Sequence, residues 1–202
     1  MNFDTRISKW KNIFGRLIGQ GIYPYQLAFL LDTPIRRIVL SPKTLVDRLN
    51  LSDNSKVLEI GTGPGYFSIE TAKRIPEGNI VLFDIQLEML LKSKRKIERN
   101  NITNAKHVQG NAAFLPFKNS AFDNVFLVTV LGEISNRINS LIEINNVLKL
   151  GGILSITEMY GDPDLITENE LELLLCQSGF VIYKKYSSSK GFTINFKKVK
   201  DL

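Results

Sequence analysis

The sequence predicts a doubly wound α/β sheet with right-handed crossovers, closed by an antiparallel hairpin and preceded by a helical extension. Three observations carry this. From Ser55 onward, short apolar runs alternate with segments of helical period, and alternating β and α elements pack as a parallel sheet with helices on both faces. The first run, Val57-Leu58-Glu59-Ile60, breaks into glycines at alternate positions, Gly61, Gly63 and Gly65. Such a strand–turn–helix unit brings bare backbone up to a nucleotide-like ligand. Residues 180–186 and 192–199 alternate in polarity and are joined by 187–191, which predicts the closing hairpin.

Each element follows in order. Ahead of the glycine loop, Ile7, Trp10, Phe14, Leu17 and Ile18 recur at helical spacing. Pro24, Pro34 and Pro42 each suit a first helical turn, and Thr33-Pro34 and Ser41-Pro42 are cap-plus-proline signals. Residues 1–54 thus read as three or four short helices. After the loop, residues 66–74 read as a helix and 80–83 as a buried strand ending at Asp84. Residues 86–99 form a helix with Leu87, Leu90, Leu91 and Ile97 on one face, and Asn100, Asn101 and Asn104 mark its exit. A short strand, 106–109, ends at Gly110, and residues 114–120 are a loop containing Pro116. Residues 125–130 are the strongest β run. Residues 138–148 read as a helix terminated by Gly151-Gly152, followed by a strand at 153–157. Thr167 N-caps a helix to residue 177, with Glu170 at the capping-box position, and Ser178-Gly179 ends it.

Composition excludes several classes. The 202 residues suit one domain, and 44% hydrophobic with 23% charged residues is an ordinary soluble balance. No apolar run is long enough to span a bilayer, and no secretory leader pattern is present, so the expected compartment is cytoplasmic. One cysteine, Cys176, and one histidine, His107, exclude an internal disulfide framework and any multi-Cys or multi-His metal centre; no metal is expected. Cys176 reads as a small buried hydrophobe and His107 as a strand residue. The net charge is +6, with lysines and arginines concentrated before the loop, in residues 92–96 and in the last strands. Such a balance suits a solvated surface, nucleic acid, anionic lipid or an acidic substrate. No aromatic-interleaved RNA-binding motif accompanies it.

The glycine spacing is Glu-x-Gly-x-Gly-x-Gly rather than the Gly-x-Gly-x-x-Gly of dinucleotide sites, and Pro64 removes one backbone donor. That suits a ribose with an amino-acid tail better than two phosphates. Here the sequence resembles the class I S-adenosylmethionine-dependent methyltransferases, whose first motif has this form. The resemblance covers residues 55–198 and implies a seven-stranded sheet of order 3-2-1-4-5-7-6 with strand 7 antiparallel. It implies that Glu59 contacts the methionine part of S-adenosylmethionine, with Gly61, Thr62, Gly63 and Gly65 forming the cofactor loop. Asp84 would accept both ribose hydroxyls, and Ile85, Gln86 and Met89 would lie near the adenine. Gly110-Asn111-Ala112 stands where the family usually has Gly-Asp-Ala; the Asn111 amide oxygen can still accept from the adenine amino group. Thr129 ends the fourth strand beside the cofactor.

Ala113-Phe114-Leu115-Pro116-Phe117 with Ala121-Phe122-Asp123 resembles the A-x-x-L-P-F…F-D segment of small-molecule methyltransferases, the group that includes quinone-biosynthesis C-methyltransferases. The Asn/Asp-Pro-Pro-Tyr of amino-methyltransferases and the Pro-Cys of cytosine C5 enzymes are absent. Glu133 is a candidate general base, and equally a carboxylate at a helix start; no other catalytic residue is indicated. The resemblance implies in-line methyl transfer to a small molecule, with residues 1–54 as a lid over the acceptor or as a contact with a membrane surface. Three alternatives stand beside it: a nicotinamide oxidoreductase, a non-catalytic cofactor-binding partner module, and a methyltransferase for a lipid-like or RNA acceptor. Oligomeric state is left open.

Overall fold

Residues 40–202 are described by the structure, a computed structural model. The helices expected around Ile7, Trp10 and Phe14 and the signals at Pro24 and Thr33-Pro34 lie outside the described residues. Ser41-Pro42 opens helix α1, Pro42–Arg48, with the Ser41 hydroxyl accepting from the Thr44 N–H and proline in the first turn. There follow β1 (Lys56–Ile60), α2 (Ser68–Arg74), β2 (Asn79–Asp84), α3 (Leu87–Arg99), β3 (Ala105–Gln109) and β4 (Phe122–Val128). A 3-10 turn at Leu131–Glu133 leads into α4 (Arg137–Val147), β5 (Leu148–Met159), α5 (Glu168–Gln177), β6 (Phe180–Ser188) and β7 (Gly191–Lys198).

The strands form one seven-stranded sheet of order β3-β2-β1-β4-β5-β7-β6. β1 to β5 pair in parallel, and β7 runs antiparallel to both β5 and β6. The expected order and the closing hairpin are both present. Strands buried on both faces explain the continuous apolar runs: in β1 only Lys56 is exposed. Alternate residues serve opposite faces. Leu58 and Ile60 join Leu141, Ile144, Leu171 and Leu175 on the α4–α5 side. Val57 joins Leu45, Leu49, Ile75, Leu90 and Ile97 on the α1–α3 side.

Two local readings change. Gly151-Gly152 does not separate a helix from a strand: α4 stops at Val147, β5 begins at Leu148, and the glycines form an irregularity inside it between the Phe122–Leu148 and Asn124–Ile153 pairs. A Cβ at Gly152 would stand 2.9 Å from the Asp123 carbonyl, so a close backbone approach explains the glycine. Cys176 is exposed, because α5 buries Leu171 and Leu175 one turn apart and the residue after Leu175 rotates onto the outer face. The capping box at Thr167 and Glu170 is present as expected.

α1 is part of the core rather than an appendage. Leu45 and Leu49 are buried. The Leu49 carbonyl accepts from Asn124 Nδ2 at 2.8 Å and the Arg48 carbonyl from Asn195 Nδ2 at 2.6 Å. Among the described residues no helix is long and apolar enough to cross a membrane.

Candidate functional site

Parallel strands all deliver their carboxyl ends to one edge of the sheet, and ligands bind there where the order reverses. In this sheet the reversal lies between β1 and β4. A cavity of about 480 Å³ opens at that edge, a size suited to one small-molecule ligand.

The loop after β1 is built by backbone economy. Gly61 and Thr62 both donate to the Phe83 carbonyl, at 2.8 and 3.2 Å. Gly61 has φ +71°, and a Cβ there would lie 2.3 Å from Val130 Cγ2. Only glycine allows the loop to pass so close to the end of β4. Gly63 donates its N–H to Asp84 Oδ2 at 2.8 Å, and Gln86 donates its own to Asp84 Oδ1 at 2.8 Å. Burial raises the Asp84 carboxyl above the ordinary aspartate range, while the N–H groups of Gln86, Gly63 and Ile85 draw it back.

Glu59, in β1, is 3% exposed. Its Oε2 accepts from the Ser68 hydroxyl at 2.5 Å, and Ser68 Oγ lies 3.0 Å from Thr62 Oγ1. This chain joins the strand, the loop and the first turn of α2. Its Thr62–Ser68 link has no signature in the spacing of the motif.

Of the residues singled out from sequence, Glu59, Gly61, Thr62, Gly63, Asp84, Ile85, Gln86, Met89, Gly110, Asn111, Ala112, Thr129 and Glu133 all line this cavity. Gly65 does not. Its φ is +77° and a Cβ there would stand 2.9 Å from Ser93 Cβ, so it is needed for α3 to pack on the loop. Asn111 turns its Oδ1 to the Ala113 N–H at 2.9 Å, giving to the loop the acceptor that the sequence reading reserved for a ligand. Thr129 has φ +53°, costly for a β-branched residue, and its N–H donates to the Thr157 carbonyl at 2.8 Å. His107 lies in β3, outside the cavity lining, its Nε2 buried without a partner; burial and the nearby Lys94 hold its pKa down, partly offset by Glu98.

The cavity also takes residues that sequence spacing did not single out, among them Phe126 and Val128 from β4, Ile134–Asn136 after the 3-10 turn, Met159 at the end of β5 and Asp162 beyond it. They come from the ends of strands far apart in sequence. The charged residues among the described lining are Glu59, Asp84, Glu133 and Asp162, with no Lys, Arg or His. In a protein of net charge +6, the described part of the cavity lining is acidic. Among the described residues no group of three or more His, Cys, Asp or Glu is placed to hold a metal ion.

Comparison with known proteins agrees with this geometry. A family model described as "Methyltransferase domain" matches residues 51–190. The chain is 30% identical over 119 residues to the demethylmenaquinone methyltransferase of Geobacillus stearothermophilus, covering 58% of this chain and 51% of that one. It is 28% identical over 133 residues to the ubiquinone/menaquinone biosynthesis C-methyltransferase UbiE of Teredinibacter turnerae, covering 65% and 53%. The chain thus matches about half the length of these curated relatives. The crystal structure of a SAM-dependent methyltransferase from Aquifex aeolicus superposes with a TM-score of 0.83 at 21% identity, over 88% of this chain and 100% of that one. That likeness establishes the fold.

Proposed function

The chain belongs to the methyltransferase-domain family, and from that premise we propose that it is an S-adenosylmethionine-dependent methyltransferase whose acceptor is a small, largely apolar molecule of the quinol kind. The observation that carries this is the glycine loop braced by Asp84 inside an acidic cavity. The cofactor brings a sulfonium, an ammonium and a ribose diol, and the donor set fits: carboxylates for cations and hydroxyls, beside a loop whose bare backbone at Gly61 packs against Val130.

When bound, the sulfonium supplies an already activated methyl group. The chain's own residues hold and orient. Asp84 would use the remaining acceptor capacity of both oxygens for the ribose, and Glu59 would meet the amino group. Ile85 and Met89 would pack on the adenine. With Asn111 Oδ1 engaged at Ala113, the Nδ2 group is the one to donate to a ring nitrogen. At the far end Val130, Ile134 and Met159 form an apolar wall that aligns the acceptor and excludes water. Well-oriented reactants reach effective molarities of ~10⁵ M or more, enough to supply most of the acceleration. Glu133, which lines the cavity, is the candidate to take a proton from an acceptor that must lose one.

The quinol class follows from the names of the two curated relatives and from this apolar wall. The segment ahead of Leu40 would close it, with Trp10, Phe14, Tyr23, Tyr25 and Phe29 supplying aromatic surface and Arg36 and Arg37 available to steer an anionic group or rest on an anionic membrane surface. Ile85 and Phe114 line the cavity yet stay exposed, an apolar rim that favours such a cover.

Two measurements test the reading. Calorimetry should show micromolar binding of S-adenosylmethionine and none of NAD; the reverse would overturn it. A chain starting at Leu40, which keeps α1, should bind the cofactor and lose transfer to demethylmenaquinol. Full-rate transfer by that chain would remove the lid.

A further inference from the structure

The acceptor end of the cavity is walled by two turns, residues 131–136 after β4 and residues 159–165 after β5. Both reach the cavity, through Glu133 and Asp162 among others. They are packed backbone to backbone: a Cβ at Gly132 would fall 1.8 Å from the Asp164 carbonyl oxygen. Arg137 ties down the first turn, donating to the carbonyls of Leu131 at 3.2 Å and Gly132 at 2.7 Å. The second is tied by Asp162, whose N–H donates to the Met159 carbonyl at 3.1 Å and whose Oδ1 accepts from the Asp164 N–H at 2.9 Å.

Beside these turns, near the end of β5, lies a carboxyl group that the loop and cavity do not use. Glu158 lies on the same face of β5 as Leu154 and Ile156, which belong to the apolar core on the α4–α5 side. It is 1% exposed, and its Oε1 has no hydrogen-bond partner. Leucine or isoleucine would satisfy that position at no polar cost, so an acid retained there calls for an explanation. The charged groups facing it are Asp162 and Asp164 from the second turn, Glu133 from the first, and Arg137 from α4. Arg137 directs Nε and Nη2 to carbonyls. Burial first, then the neighbouring carboxylates, raise the Glu158 pKa to about 8, with Arg137 pulling the other way.

Resting on the methyltransferase reading, we infer that Glu158, buried with Oε1 unpartnered at the start of the second turn, is a positioning residue of the acceptor site, which leaves Glu133 and Asp162 as the acidic groups that face the cavity at that end. The arrangement has a consequence for the acceptor. Two carboxylates facing the cavity select a group with a hydrogen to donate, a hydroxyl or an amine, and disfavour a carboxylate or phosphate. Charging Glu158 adds a fourth negative group to Asp162, Glu133 and Asp164 and drives the two turns apart. The wall then loses its register above the titration midpoint.

The test is a pH titration of the full chain by nuclear magnetic resonance, with carbon-13 at the glutamate side-chain carboxyls. The Glu158 signal, assigned by its loss in Glu158→Gln, should titrate near pH 8. The amides of Gly132, Ser135, Asp162 and Asp164 should shift with the same midpoint. In Glu158→Gln those amides should stay fixed across that range; should the amide variant fail to fold, Glu158→Leu provides the same uncharged comparison. A Glu158 midpoint below about 6, or turn amides that titrate identically in the variant, would overturn the inference. Loss of S-adenosylmethionine binding would sink the methyltransferase reading instead, and the titration would read the same without it.

Discussion

The Asp84 carboxylate accepts the Gly63 N–H at 2.8 Å, so the acid at the end of β2 is also the brace of the loop that follows β1. One side chain thus links two strand ends and sets the mouth of the cavity. Removing it has two effects at once, on ligand contact and on the loop's resting shape.

Asp84→Ala should weaken S-adenosylmethionine binding by about 10- to 100-fold, since a hydrogen bond to a charged group contributes roughly 1.5–3 kcal/mol. Asp84→Asn keeps an acceptor oxygen and should lose less. Calorimetry on the pair decides; equal affinity in Asp84→Ala and the natural chain would remove Asp84 from the site.

Gly61→Ala and Gly65→Ala should separate. Gly61 abuts Val130 at the cavity and Gly65 abuts Ser93 in α3. The first should weaken cofactor binding by displacing the loop from Val130, in addition to a strain cost like that at Gly65. The second should lower the melting temperature by several degrees, as strain of about 1–2 kcal/mol implies. Identical binding losses with identical melting curves would contradict the division.

Lys198 is fully buried, donating to the Asn145 and Leu148 carbonyls at 2.6 and 2.8 Å and pairing with Asp201 at 2.7 Å. It caps the carboxyl end of α4 from the last strand. Lys198→Met fills similar volume but orphans both carbonyls, and should cost roughly 2–4 kcal/mol in urea denaturation. A change below about 0.5 kcal/mol would show that water replaces the ammonium.

Stability should depend on pH through Glu158. Its folded pKa of about 8 stands above the ordinary 4.5. Below 4.5 the group is protonated in both states and its contribution is fully present. As pH rises the unfolded chain ionises first, so stability falls by up to about 1.4 kcal/mol per unit, and the loss is complete once pH passes the folded value. Glu158→Gln should flatten this slope. An unchanged slope between about pH 5 and 8 in that variant would place the dependence on another group.

Much of the fold was legible before any coordinates. Val57–Ile60, Asp84 and the glycines between them announced the binding edge because turn geometry and bare backbone are demands on neighbouring residues. Thr167 with Glu170 announced a helix start for the same reason. The side of the cavity formed after β4 and β5 was not legible. Ile134, Met159 and Asp162 line one cavity because β4 and β5 pair in parallel and end together, and no local pattern marks a residue for a cavity assembled from two strand ends. Asn111 was legible by position, while the direction of its amide oxygen toward Ala113 was not.

By itself the sequence determined the succession of strands and helices, the sheet edge that carries the cavity and the acid at the end of β2, since these rest on periodicity, capping and glycine placement within a few residues. Only the tertiary structure decided that Gly65 serves Ser93, that Cys176 faces outward, that Lys198 caps α4, and that Glu158 is buried with an unpartnered oxygen near the end of β5. Burial and partner are properties of what packs against a residue, and in a parallel sheet those neighbours come from elements tens of residues away.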